Sequence, residues 1–367
     1  FFFVELSNYK ELIKLFIFRI NNNLKNLIYK PHSLFNFNDT VHGINYFLPH
    51  LKNIDFLVLH SIQDTISIEI ISKIHELYNF KIVFHPLDME MITGGYHFSY
   101  DCDCYKLGDC NSKMHNLNKL STRMYKNKVN YLSHLPIKWI TTSNFMKKRV
   151  NESKMFHKIH SIETVYMGIA EEGEKNTLNK ERARNILGLN QKKKIMLFGC
   201  FDFSDPRKGA NLLKEILVKI SHNVEDETIS LITYGSLKNF SFGHLNFEWK
   251  HFGNITHEKL KILYKASDLM LSPSIDDIGP TTVQEAFYYR LPVIGFDIGF
   301  VSDFIFNEVN GKKIDCFNTN KFAEAILEFI QNNNFKKKLD ESRINNLKSQ
   351  CYFNNEAKLF LNSIKKS

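Results

Sequence analysis

The chain has 367 residues, 43% of them hydrophobic and 24% charged, a globular balance that excludes intrinsic disorder as its main state. No apolar run approaches the ~18–20 residues that span a bilayer. Six cysteines in so long a chain exclude a disulfide scaffold, so a reduced cytosolic compartment is expected, and a net charge of +9 suits anionic partners, with a merely solvated lysine-rich surface as the equal alternative.

The chain opens Phe1-Phe2-Phe3-Val4, with no basic n-region and no small-residue cleavage site, so it is not read as a signal peptide and is expected to be N-terminally incomplete. Residues 8–29 space apolar side chains helically, with Lys10, Lys14, Arg19 and Lys25 between them. This predicts a helix packed on a sheet; a basic helix lying on a membrane surface is the alternative. Phe56–His60 reads as a short buried strand, 66–78 as a helix and Lys81–His85 as a second strand. A polar stretch with glycines and cysteines runs from Asp88 to Ser112, followed by helical segments. Strands are expected at Trp139–Thr142 and Thr164–Met167, the latter ended by Gly168.

Residues 170–193 are charged and lack a long apolar run, which marks a linker with a helix at Lys180–Leu187. A second alternation follows, with strands at Ile195–Gly199, Ile229–Gly235, Leu269–Leu271 and Pro292–Phe296. Helices are expected over 209–220, 257–266, 281–289, 321–332, 335–349 and 355–365. Strand–helix alternation predicts the α/β class, with parallel sheets covered on both faces. Two such runs predict two doubly wound, Rossmann-like domains, 1–170 and 171–350, facing a central cleft, with a C-terminal helix in 351–367 packing back on the first.

The densest motif is Ser272-Pro273-Ser274-Ile275-Asp276-Asp277-Ile278-Gly279-Pro280-Thr281-Thr282-Val283-Gln284-Glu285-Ala286, which leaves a strand and opens a helix. Gly279 allows close backbone approach, Pro280 suits a first helical turn, and the amides of that turn can bind an anion. Asp277 and Glu285 can each hold a pair of sugar hydroxyls; the plain alternative is a helix cap and a surface acid. Asp205-Pro206-Arg207-Lys208-Gly209 opens another helix, and Lys208 with Arg207 can offset a diphosphate.

In this order the two pieces resemble glycosyltransferase family four, retaining enzymes of the GT-B fold, whose signature is acid-x7-acid followed by Pro-Val-Ile. Here it reads Asp277-x7-Glu285, then Pro292-Val293-Ile294. Arg207-Lys208-Gly209, Tyr264-Lys265-Ala266-Ser267-Asp268 and Asn310-Gly311 also match the family's elements. In the first half, Asp88-Met89, Thr93-Gly94-Gly95-Tyr96-His97 and Cys102 look like a segment of a subgroup that works in surface-polysaccharide assembly, and Leu59-His60-Ser61 resembles its strand end. The resemblance implies that Glu285 holds the ribose hydroxyls and Asp277 the donor sugar. The backbone around Gly279, Pro280, Thr281 and Thr282 would bind sugar and phosphate, with Gly199 and Tyr234 also on the donor side. Lys208 and Arg207 would stabilise the leaving diphosphate, which lets such enzymes work without a metal or other cofactor. His85 and His97 are the first-half catalytic candidates, and Asp88, Gly94, Gly95 and His60 the acceptor-side ones.

The implied partners are a nucleotide-diphosphate sugar and a glycan or lipid-linked acceptor, in the cytoplasm at the inner membrane face, with peripheral contact to an anionic membrane. No nucleic-acid motif accompanies the positive charge. Some residues depart from the pattern: Asp277 replaces the first Glu, Leu87 stands where a histidine is usual, and Cys200–Ser204 lacks a basic residue. The Gly-rich loop is expected to precede Phe1. A degenerate GT-B chain that binds sugar without transferring it is the alternative. Cys102, Cys104 and Cys110 lie near His97, and four such ligands suit zinc. Cys-x-Cys is awkward around one tetrahedral ion, so free thiols and no metal are expected; Cys200, Cys316 and Cys351 read as isolated buried residues.

Overall fold

The computed structural model describes residues 21–366, apart from 22, 31–33, 39, 41, 101, 111–114, 157–160, 170–177, 225–227, 333–334 and 336–340. Most of the helix expected over 8–29 therefore lies outside the described residues; 23–29 are helical. The chain divides into two compact units, the first holding residues up to Thr142 with Met146–Thr164 and Phe360–Ser367, the second Ser143–Phe145 and Val165–Leu359.

Among the described residues the first unit carries a parallel sheet of four strands, β1 (Phe56–Leu59), β2 (Lys81–Phe84), β3 (Ile137–Thr141) and β4 (Ser161–Thr164), side by side in chain order. Every residue of β3 is buried, as a central parallel strand requires. The fully buried Trp139 ring on β3 packs edge-on against Phe84 and Phe156, each 5.1 Å away. The strand expected at Thr164–Met167 lies three residues earlier. β4 pairs Lys138↔Ser161 through Thr141↔Thr164, so it stops where its partner stops, and the apolar Val165–Met167 run falls beyond the sheet.

The described residues of the second unit form six parallel strands: β5 (Lys194–Asp202), β6 (Ile229–Ser236), β7 (Glu248–His251), β8 (Leu269–Ser272), β9 (Val293–Phe296) and β10 (Gly311–Ile314). Their spatial order is β10-β9-β8-β5-β6-β7. Counted from β5, this is the 3-2-1-4-5-6 order of a doubly wound nucleotide-binding sheet, whose direction of winding reverses between β5 and β8. Leu197, Ile232, Met270, Val293, Val283 and Phe300 form its dry centre; truncating one such side chain to alanine costs about 2–5 kcal/mol.

Local signals set the helices. Asn179 accepts from the Arg182 amide at 2.9 Å to start Lys180–Leu187, and Gly188 ends it at φ +60°. Thr256 caps His257–Ala266 in the same way. Two strands escape sequence reading, β7 (Glu-Trp-Lys-His) and β10 (Gly-Lys-Lys-Ile). Both are sheet edges, where a strand needs no continuous apolar run and charged residues discourage pairing with other chains.

Candidate functional site

Ligands of a doubly wound sheet sit outside the carboxyl ends of the strands where the winding reverses. In the second unit those are β5 and β8, and the Arg-Lys-Gly and Asp277 segments are the loops that follow them. After β5 the chain makes a single turn, Pro206–Lys208, capped by Asp205, whose carboxylate accepts from the Arg207 amide at 3.0 Å. Gly209 then takes φ +70°, and a Cβ there would lie 1.9 Å from the Pro273 carbonyl oxygen. The Ile275 amide donates to the Arg207 carbonyl at 2.8 Å. The loop after β5 is thus pressed onto the loop after β8.

This contact brings Lys208 to Asp277, Nζ to Oδ2 at 2.6 Å. The side chains are 25% and 13% exposed, so the pair is sheltered yet open to a ligand. Asp277 Oδ1 also accepts from the Gly279 amide at 3.0 Å, fixing the approach to the helix Thr281–Tyr288. Arg207 is engaged differently: its Nη2 meets Asp205 at 2.6 Å. Pro280 is the N-cap residue of that helix, one place before the first-turn position the sequence suggests, and brings no side-chain cap. Thr281 is exposed and Thr282 half-buried in the first turn, while Gly279 lies against the Phe300 ring.

Glu285 is not a surface acid. The Tyr264 hydroxyl donates to its Oε2 at 2.6 Å, leaving Oε1 to accept from a ligand. Burial raises its carboxyl above the usual range, partly offset by the Tyr264 bond. Tyr264 in turn stacks on Tyr289, centroids 5.4 Å apart. Gly199 and Tyr234 are register partners on β5 and β6, and the Tyr234 ring fills the space a Gly199 side chain would take. Other parts of the signature are scaffold. Asp268 pairs with Arg184 at 2.5 Å and accepts from the Ile195 amide, and Asn310 bonds the backbone of Phe304 and Phe306.

In the first unit His60 and His85 directly follow β1 and β2, whose last residues Leu59 and Phe84 are register partners. Their Nδ1 atoms lie 2.7 Å apart, so one ring donates a proton to the other. Burial, then the neighbouring His60, lowers His85 to about 4; burial lowers His60 as well. Both are neutral at pH 7. Phe360 packs against both rings.

His97 has a carboxylate partner, Asp88 Oδ2 at 2.6 Å from Nδ1. The ring is 2% exposed, and its buried Nε2 has no hydrogen-bond partner. A carboxylate on Nδ1 places the lone pair on Nε2, the arrangement of an oriented proton acceptor. The turn carrying this pair is anchored by the buried Glu90–Lys128 ion pair at 2.6 Å and by Asn36. Gly94 and Gly95 are explained by packing: Cβ atoms there would meet the Ser121 and Asn36 carbonyl oxygens at 1.9 and 2.6 Å.

Sequence reading named most of these residues but not their partners. Tyr264 stood in a recognised stretch without a role, and the His60–His85 contact required the strand register.

Residues 179–346 match the family model described as "Glycosyl transferases group 1". Sucrose-phosphate synthase from Thermosynechococcus elongatus has the same architecture at 15% identity, covering 88% of this chain and 78% of that one, TM-score 0.63. HepE from Anabaena in complex with UDP aligns at 14% identity over 88% of this chain and 82% of its own, TM-score 0.63. A glycosyltransferase from Rickettsia africae aligns at 17% identity over 88% and 79%, TM-score 0.60. These likenesses establish the fold: two parallel α/β units of the GT-B class. No curated protein matches the sequence.

Proposed function

From the group 1 glycosyltransferase match and the geometry at the reversal point of the second sheet, we propose that the chain transfers a sugar from a nucleotide-diphosphate donor to an acceptor hydroxyl, retaining the anomeric configuration. The Lys208–Asp277 pair at the ends of β5 and β8 carries this reading. When the bond from the anomeric carbon to phosphate oxygen breaks, negative charge grows on the diphosphate. A held ammonium at that place stabilises it without a divalent ion. Asp277 receives donor-sugar hydroxyls beside the lysine, and Glu285, steadied by Tyr264, receives the ribose. Thr281, Thr282 and the Gly279–Pro280 backbone line the helix start for sugar and phosphate.

In this scheme the acceptor oxygen bonds to the anomeric carbon on the face the phosphate leaves, and the departing phosphate oxygen takes the acceptor proton. The oriented His97 and the neutral His60–His85 pair belong to acceptor recognition, with Asp88 holding His97. We assign the acceptor to a growing glycan or lipid-linked saccharide of surface-polysaccharide synthesis at the cytoplasmic membrane face. No helix among the described residues is long and apolar enough to cross a membrane. The positive net charge suits peripheral contact with an anionic one.

Calorimetric titration with UDP, GDP and ADP, followed by turnover of the matching donor sugars, tests the reading. Binding of one nucleotide with a product of unchanged anomeric configuration supports it. Binding without turnover would assign the chain to the non-transferring alternative, and an inverted product would refute retention.

A further inference from the structure

Three cysteines and a histidine that sugar transfer does not use converge in the first unit. One ligand atom each from Cys102, Cys104, Cys110 and His115 lies within 4.8 Å of all the others, and all four residues are buried. Sequence reading paired these thiols with His97, but His97 is committed to Asp88, and the fold supplies His115 instead.

The geometry is that of a metal centre in three respects. Cys102 and Cys110 Sγ lie 3.7 Å apart. Four ligands at a zinc–thiolate distance of ~2.3 Å put sulfurs ~3.8 Å apart along a tetrahedral edge. His115 Nδ1 is 2.9 Å from Cys110 Sγ, while its Nε2 is 2.9 Å from the Phe98 carbonyl. A carbonyl only accepts, so Nε2 carries the proton and Nδ1 turns its lone pair to the sulfurs, the outer bond that orients a ligating histidine. The imidazole is also clamped: Tyr96 stacks on it at 3.6 Å and 8°, and the Tyr96 hydroxyl accepts from the Leu117 amide at 2.7 Å. Phe35, Leu117 and Met124 pack around the group.

We propose that Cys102, Cys104, Cys110 and His115 bind one zinc ion as a closed, structural Cys3His site. Three thiolates and an imidazole gathered around one point select zinc among the common divalent ions. Four protein ligands leave no open position, so the ion is a cross-link rather than a catalyst. It ties the segment Tyr96–Leu117 into the first unit, and with it the turn that bears His97. The expectation of metal-free transfer concerns the reacting atoms and is untouched.

The test is the zinc content of the whole chain, purified without chelator and measured by mass spectrometry of the elements. One zinc per chain is expected. Cys104→Ser and His115→Ala should lose it, while Cys351→Ser, a buried thiol outside the group, should keep it. Should the first two variants fail to fold, cobalt exchange into the unaltered chain reads the site directly. Thiolate-to-cobalt charge transfer and the intense visible bands of tetrahedral cobalt are then expected. A wild-type chain without zinc and without those bands overturns the proposal. So does an intact mass two hydrogens short from a Cys102–Cys110 disulfide, and so does zinc retained in a folded Cys104→Ser chain.

Discussion

Lys208 and Asp277 leave different strands of the second sheet, yet their side chains meet at 2.6 Å where its winding reverses. The contact is made possible by Gly209, which lets one loop rest on the backbone of the other. A cation held by a carboxylate at a strand end can serve a departing diphosphate and a sugar at once.

Lys208→Ala is therefore expected to lower the transfer rate by roughly 30-fold or more, about 2 kcal/mol of lost transition-state stabilisation. Steady-state rates at saturating donor measure it. A wild-type rate would remove Lys208 from the chemistry.

Glu285→Ala should weaken nucleotide binding by about 1.5–3 kcal/mol, the range for a hydrogen bond to a charged group. Tyr264→Phe should do less, because the carboxylate survives without its support. Calorimetry with the preferred nucleoside diphosphate distinguishes the two, and unchanged affinity in Glu285→Ala would contradict the ribose assignment.

The paired histidines predict a pH dependence of stability. His85 titrates near 6.5 when unfolded and near 4 when folded. The unfolded chain binds more protons in that window, so stability is fully present above pH 6.5 and falls as pH drops towards 4. The loss from this group is about 3 kcal/mol at full extent. Urea midpoints between pH 4 and 7 should show the slope, and His85→Gln should flatten it.

Gly209→Ala tests the loop contact. Positive φ and a backbone oxygen in the way should cost roughly 2 kcal/mol or more, and transfer should fall with stability because Lys208 is displaced. Gly43→Ala, where nothing lies within 4 Å, should stay within about 0.5 kcal/mol of wild type. Equal effects of the two in thermal denaturation would dismiss the contact.

On the proposed mechanism, in which Lys208 supplies the positive charge, transfer rates with and without added Mg2+ or Mn2+ are expected to agree. A rate that rises only with the added ion would give that role to the metal.

The alternation of buried strands and capped helices was legible because central parallel strands must be apolar and helix ends must satisfy their backbone. The helix Lys180–Leu187 shows this, with Asn179 before it and Gly188 after it. β7 and β10 were hidden because an edge strand is held by hydrogen bonds that do not depend on residue type. The site divided along the same line. Asp277, Glu285 and Lys208 stand in local motifs, whereas Tyr264 on Glu285, His60 on His85 and His115 among the cysteines are meetings between distant segments. Periodicity reports which face of an element is buried, not what it is buried against.

The order of strands also sets when the proposed donor site can form. β5, β6 and β7 are synthesised in succession, and β8 must then return to lie against β5, pairing Met196 with Leu269 and Leu197 with Met270. Lys208 and Asp277 are 69 positions apart along the chain. A nascent chain that has reached only β7 carries the lysine with no carboxylate for it to meet, and closing that long loop is an entropic cost paid before the pair forms. On the proposed function, nucleotide capture would thus be a property of the finished sheet. If the proposed site binds the donor, a product truncated before Asp277 would be blind to it however well its first strands had folded, and bound nucleotide would report that β8 had docked.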